Sequence, residues 1–428
     1  MRLKIYMLFA VGLVYGGFSS STPDAIGIPE MLIGLLLVMI VGLRGAISPI
    51  TSFTTSTRGS LLLPILQVSF LYLCIVPTVY GLAFNQVDPI DWVRDIIPFF
   101  YMFLPVLWIP LLRQNPQAWT QAIAYVLTVI GTLFAIRFFL IDDISIQEIG
   151  RAIMFGDMNY FPMDPAVTFA AVFSMLEGFR ALESRSVRRS LIWFMLSAIS
   201  LASLAAMMVR APLILYSVVM IGRVLTLKAR GFWGVSVKVI TVISFLSISI
   251  VAVPLIELIL AKMESVGLNA KDAEIQAVID FVLSGPASLL FGTGWGGTFL
   301  SPAVGVQVRF VHNFSGYFLL KAGIVGLAIA ALIVLRIYPC LVYRWVKAHK
   351  PSIRSYTLFN SLHAACFVAL SSSFFLQANY KSLSFGLVLA IAMLTLDLFS
   401  ITTNTQKIGQ AAHLNGKSRE SYSSSSYI

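Results

Sequence analysis

Apolar runs of about twenty residues, long enough to cross the ~30 Å hydrocarbon core of a bilayer as helices, recur along the whole chain. Twelve are read, at roughly 5–20, 28–43, 61–84, 92–112, 119–140, 162–180, 190–207, 211–227, 239–258, 313–335, 356–377 and 382–401. None shows the two-residue alternation of a barrel strand, so each reads as a helix. Of the 428 residues, 58% are hydrophobic and 11% charged, against about 45–50% and ~25% in a soluble domain. That excludes a disordered chain, a coiled coil and an ordinary soluble enzyme. The expected fold is all-α: a polytopic integral membrane protein with about twelve transmembrane helices. Residues 1–401 form one membrane domain, and the polar tail 402–428 is expected to be disordered.

Charge supplies an orientation. With the N-terminus inside and the spans alternating, 21 of the 30 Lys and Arg residues fall inside, together with four of the 19 acids. The inside is therefore net +17 and the outside net −6. The Lys/Arg bias alone fixes the topology by the positive-inside rule, with both termini cytoplasmic. Scattered between apolar segments, these charges do not form the solvated basic patch that nucleic acid requires. Arg2 and Lys4 precede a short apolar run, as in a signal peptide, but no Ala-x-Ala site follows, so the segment is expected to remain as the first helix. Residues 190–227 are too long for one span and have basic flanks on both sides. They must fold as a hairpin broken near Pro212, which puts Arg210 at its outer apex.

Two outer loops are large, at about 141–161 and 259–312. In the second, Ile275, Val278, Ile279 and Val282 follow helical apolar spacing. This predicts an amphipathic helix along the membrane–water boundary, capped by Asn269 and ended by Ser284-Gly285-Pro286.

Few motifs carry chemistry. Gly292 to Gly297 formally matches G-x-G-x-x-G, but without a strand before it or a helix after it the match reads as a close-packed turn. Asp272 and Glu274, two apart on a helix, diverge by ~200° and read as a solvated face. Asp91 and Asp95 share a face at a helix start, where they suit the helix dipole. Cys74, Cys340 and Cys366 lie in apolar segments and form no disulfide or metal pattern, and His363 stands in a helix with no acid near it in sequence. No metal site and no cofactor is expected. Arg210, Arg309 and His312 remain, all at the outer boundary. A single Arg there is explained by snorkelling to headgroups, but Arg309 and His312 are three apart and flanked by Phe310, Phe314, Trp295 and Phe299.

The segments Phe291-Gly-Thr-Gly-Trp-Gly-Gly297, Val311-His-Asn-Phe314 and Leu319-Leu-Lys-Ala-Gly-Ile-Val-Gly-Leu327 resemble the signature of the O-antigen ligase and Wzy-type polysaccharide polymerase superfamily. The stretch from Ala205 through Arg210 to Ala211 resembles that family's upstream arginine motif. Two features depart from it. Met208-Val209 replaces small polar residues, and Glu274-Ile-Gln-Ala stands where many relatives carry a loop arginine.

The resemblance implies a GT-C-like, metal-independent glycosyltransferase of the bacterial inner membrane. Its donor would be an oligosaccharide on undecaprenyl pyrophosphate and its acceptor a sugar hydroxyl. The acceptor would sit on another lipid-linked unit in a polymerase of O-antigen, capsule or exopolysaccharide, the favoured reading, or on lipid A core in a ligase. A chain-length regulator and a flippase would be pathway partners. His312 would be the general base, since histidine titrates near neutral pH. Arg210 and Arg309 would hold the pyrophosphate, with Arg151, Lys271 and Asn313 as secondary contacts. The rival from another class is a transporter of lipid-linked oligosaccharide, suggested by charges within or near spans at Arg94, Arg137, Lys321 and Asp397.

Overall fold

The computed structural model describes residues 1–19, 27–51, 62–141, 160–207, 209–226, 239, 271–302, 305–348, 358–375 and 379–396. They are almost wholly helical. In chain order the first helices are α1 (Arg2–Phe18), α2 (Ile28–Thr51), α3 (Leu62–Val79), α4 (Pro89–Met102), α5 (Leu104–Gln114) and α6 (Pro116–Ile141). A π-helical turn, Tyr80–Phe84, prolongs α3. Then come α7 (Pro165–Glu183), α8 (Val187–Ala206), α9 (Arg210–Thr226), α10 (Lys271–Leu283) and α11 (Pro286–Phe291). A two-residue hairpin pairs β1 (Phe299–Leu300) antiparallel with β2 (Gln307–Val308), Phe299 opposite Val308. The last helices are α12 (Phe314–Ala348), α13 (Leu358–Phe375) and α14 (Leu383–Leu396).

Eight of these stretches are long and apolar enough to cross a membrane: Ile28–Thr51, Pro64–Phe84, Pro89–Gln114, Pro116–Ile141, Pro165–Glu183, Val187–Ala206, Phe314–Tyr343 and Leu358–Phe375. The chain is a multi-pass, all-α membrane protein. Of the other four expected segments, three correspond to the shorter helices α1, α9 and α14. The fourth, 239–258, lies outside the described residues except for Val239. The loop 141–161 (apart from its two ends), Asn269 and the tail 402–428 also lie outside them.

α7 is the most enclosed span. It packs on α6, α8 and α13, and of its apolar side chains from Ala166 to Leu176 all but Met175 are fully buried. α2, by contrast, turns Leu35, Val38 and Met39 outward, as α8 does Leu191, Ile192 and Met195. Exposed apolar rows of this kind suit lipid as the surrounding solvent. The expected hairpin at 190–227 is present: α8 ends at Ala206, α9 begins at Arg210, and Pro212 sits in the first turn of α9. Pro is tolerated there because no intrahelical partner exists for its missing N–H.

α3 carries a proline within its span and α12 is broken within its own, and one segment satisfies carbonyls in both. In α3, Pro77 has no N–H to offer the carbonyl four residues back, Leu73. The Trp295 indole donates to Leu73 O at 2.7 Å, and the Trp295 backbone N–H donates to Pro77 O at 3.1 Å. In α12, Ala322 and Gly323 leave the helical region, Gly323 at φ +61°. The carbonyls of Leu320 and Lys321 then accept from Thr293 N (2.7 Å) and Gly294 N (3.1 Å). Inside a bilayer no water is available for freed carbonyls, so such a repair is obligatory. Gly292, Gly294 and Gly296 all have positive φ. A Cβ on Gly292 would lie 2.2 Å from Leu320 O, and one on Gly294 2.5 Å from Gly81 N. The G-x-G-x-x-G match is thus a close-packed turn, as expected, and what it binds is protein backbone.

Candidate functional site

The polypeptide alternates across the bundle so that the residue 160–165 turn, the α8–α9 break, the π turn, α10, α11, the β hairpin and residues 379–381 gather at one end. The opposite end carries Arg113, Arg180, Arg185, Arg188, Arg189 and Arg223. The candidate site lies at the first end.

His312 precedes α12. Its side chain is 43% exposed, and the structure supplies it with a partner. The Nδ1 atom lies 2.9 Å from Glu274 Oε2, and the His312 backbone N–H donates to the same oxygen at 3.1 Å. Glu274 itself is buried. Ser301 Oγ is 3.5 Å from its other carboxylate oxygen. Burial pushes the Glu274 carboxyl up, but the bonds and charge of His312, with Ser301, outweigh it and hold the group below the ordinary carboxylate range. A carboxylate accepting from Nδ1–H leaves Nε2 of a neutral imidazole with the lone pair. The pair is therefore built as a base with a fixed tautomer.

Three expectations are corrected here. Glu274 is not on a solvated face. The buried positions of α10 are Glu274, Val278 and Val282, spaced by four, with Ile275 and Ile279 only half-buried. Nor is the apolar side of α10 given wholly to a membrane boundary. Val278 and Val282 pack on Phe299, Val311 and Leu320 of the protein itself. Asp91 and Asp95 do more than complement a helix dipole. Asp95 is buried in a 2.5 Å ion pair with Lys321 and accepts from Gly296 N at 2.7 Å, while Lys321 also donates to Gly297 O at 2.6 Å. Asp91 takes Arg309 at 2.5 Å and Arg94 at 3.4 Å.

The remaining site residues divide as follows. Arg309, three residues before His312, is half-buried and is held by Asp91. Asn313 accepts from Gly316 N at 3.1 Å, which is an N-cap for α12. Arg210 is half-buried at the start of α9, which packs on α7, α8 and α13. The His312 group instead draws on α4, α10, the β hairpin and residues 379–381. Lys271 opens α10, and Arg151 lies outside the described residues.

Lys381 was absent from the sequence-derived site. Its Nζ sits 4.7 Å over the Phe310 ring and 4.8 Å over the Tyr317 ring. Phe310 makes an edge contact with His312 at 5.4 Å, and the neighbouring Tyr380 hydroxyl donates to Val311 O at 2.6 Å. Residues 309–312 are thereby anchored from both sides, by Arg309 on Asp91 and by Lys381 over Phe310. Nothing near Lys381 in sequence signals this, because the contact spans the whole of α12 and α13. Among the described residues no group of three His, Cys, Asp or Glu side chains could hold a metal ion. Comparison with protein-family models, curated proteins and solved structures gives no match.

Proposed function

We propose that the chain is a membrane glycosyltransferase that moves a glycan from undecaprenyl pyrophosphate to a sugar hydroxyl at the outer face of a bacterial inner membrane. The fold would be GT-C-like with twelve spans. The observation that carries this reading is the His312–Glu274 pair, on the short segment that also bears Arg309. A base of fixed tautomer on a segment that also bears a cation suits attack by a hydroxyl on an anomeric carbon that bears an anionic leaving group.

In the proposed reaction the acceptor oxygen bonds to the anomeric carbon. The bond from that carbon to the pyrophosphate oxygen breaks, and the electron pair leaves with the phosphate. The hydroxyl proton passes to His312 Nε2. Glu274 stabilises the resulting imidazolium through Nδ1–H. Arg309, with Arg210 at the start of α9, would offset charge on the departing pyrophosphate. The favoured acceptor is a second lipid-linked repeat unit, which makes the protein a polymerase. Against transport stand three of the four charges that suggested it, the fourth, Asp397, lying outside the described residues. Lys321 is paired with Asp95, Arg94 with Asp91, and Arg137 donates to the carbonyls of Gly16 and Ser19 at the end of α1.

The test is the surface glycan of a deletion strain. Glycans capped with a single repeat identify a polymerase, and long chains left on the carrier lipid identify a ligase. Complementation with His312→Ala at normal expression should fail to restore chain assembly, with a rate at least ~100-fold below wild type for loss of a general base. Full restoration by that variant would remove His312 from the chemistry.

A further inference from the structure

At the opposite end of the bundle, a cavity of about 420 Å³ opens where the end of α7 meets α6, α8 and α13. Its polar lining includes Gln117 and Gln121, four apart on α6, with Tyr125, Arg180 and Arg189, and Phe359 contributes an apolar wall. Arg180 and Arg189 stand on adjacent helices and reach the same space.

The charge around this cavity is lopsided. The two acids described at this end are already bound to arginines. Glu177 Oε2 accepts from Arg180 Nε at 2.8 Å, and Glu183 is bonded to Arg223. Arg189 is exposed and has no acidic partner among the described residues, and the same holds for Arg113, Arg185 and Arg188. The pairing with Glu177 still leaves the Arg180 side chain 35% exposed. A cavity with two guanidinium groups, two amides and a phenol, and no unspent carboxylate, is complementary to an anion with several acceptor oxygens. Its position at the ends of membrane-crossing helices is the depth of lipid headgroups, and basic pockets between helices on the Lys/Arg-rich side suit anionic ones.

We propose that this cavity is a phosphate-binding site, occupied by the phosphodiester headgroup of an anionic phospholipid. Arg180 and Arg189 grip the phosphate oxygens. Gln117 and Gln121 reach its ester or glycerol oxygens, and Phe359 covers the first carbons of the chains. The site shares no residue with the His312 group, so its fate is independent of the proposed transfer chemistry.

The full-length protein, in nanodiscs of phosphatidylcholine, is titrated with dioctanoyl phosphatidylglycerol, with dioctanoyl phosphatidylcholine and with inorganic phosphate. Adducts are counted by native mass spectrometry. The phosphatidylglycerol should bind saturably; the phosphatidylcholine should not, because its trimethylammonium would meet two guanidinium groups with no free carboxylate described at this end to neutralise it. Arg189→Gln should weaken binding about fivefold or more, the weight of one guanidinium near a membrane surface. Arg188→Gln, one residue away but outside the cavity, should change it less than twofold. Competition by inorganic phosphate at comparable affinity assigns the site to a free phosphate-bearing ligand; preference for the lipid assigns it to the headgroup. Either result supports phosphate recognition. Arg180→Gln tests the second contact, with a Tm measurement to confirm the fold, while exposed Arg189 keeps the test decisive if that variant is unstable. Wild-type affinity in Arg189→Gln, or equal weakening by Arg188→Gln, would overturn the proposal.

Discussion

Glu274 is the residue on which the proposed chemistry leans most. Its carboxylate receives both the side chain and the backbone N–H of His312, so it fixes where the ring stands and which nitrogen faces outward. Glu274→Ala should lower the transfer rate about 10- to 100-fold, the usual cost of an orienting partner, with KM little changed. Glu274→Gln keeps an acceptor and should recover part of that loss. Equal kinetics for Glu274→Ala and wild type would reduce the contact to packing. The pair also carries a pH signature. The folded-state pKa of Glu274 lies below its ordinary value of 4.5, so the contact adds stability above that value and loses it as pH falls through the folded pKa. The Tm difference between wild type and Glu274→Gln should therefore shrink as the pH falls below 4.5. The sequence singles out His312, because a short motif points to it, but not Glu274. The apolar pattern of α10 fits two phases one residue apart, and the phase that includes Ile275 and Ile279 looks richer than the one that buries Glu274, Val278 and Val282. A carboxylate in an apolar stripe is a weak signal until its partner is known, and that partner lies 38 residues downstream.

At the scale of elements, the proline site of α3 and the break in α12 depend on the turn between them. Trp295→Phe keeps an aromatic ring but removes the donor for Leu73 O. The expected loss is about 1–3 kcal/mol, the cost of one buried unsatisfied carbonyl, read as a drop in Tm in detergent. An unchanged Tm would mean that Pro77 frees no carbonyl needing repair. The Asp95–Lys321 pair ties α4 to α12 at the same place. Lys321→Met alone leaves a buried carboxylate and should cost about 3–5 kcal/mol. Adding Asp95→Asn should restore much of that, because the amide oxygen can still accept from Gly296 N. If the double variant is no more stable than Lys321→Met, the pair is not the linkage described. The glycine turn is legible in sequence because glycines signal positive φ locally. What it repairs is not legible: Pro77 and Gly323 lie on two different helices, and nothing in either local pattern points to Trp295.

For the molecule as a whole, the deciding quantity is which end faces which side. The bundle has an acid-rich end with His312, Glu274 and Asp91, and a basic end where Arg113, Arg185, Arg188 and Arg189 have no acid bound to them among the described residues. Eight of the twelve expected spans and the separation of ends follow from apolar run lengths and Lys/Arg placement, which are properties of single segments and so survive without tertiary information. The lateral order of helices does not, because small and apolar faces pack on lipid and on protein alike. Cysteine labelling in intact cells tests the orientation directly. Native Cys74 and Cys340 are half-buried and Cys366 is buried, all in apolar helices, so the background should be low. Ser284→Cys, exposed at the end of α10, should react with a membrane-impermeant maleimide added outside. Ser184→Cys, exposed beside Glu183, should react only after permeabilisation. The opposite pattern would put His312, Arg309 and Lys381 in the cytoplasm. Transfer from a lipid-linked glycan at the outer face would then be ruled out, whatever the variants at His312 and Glu274 do.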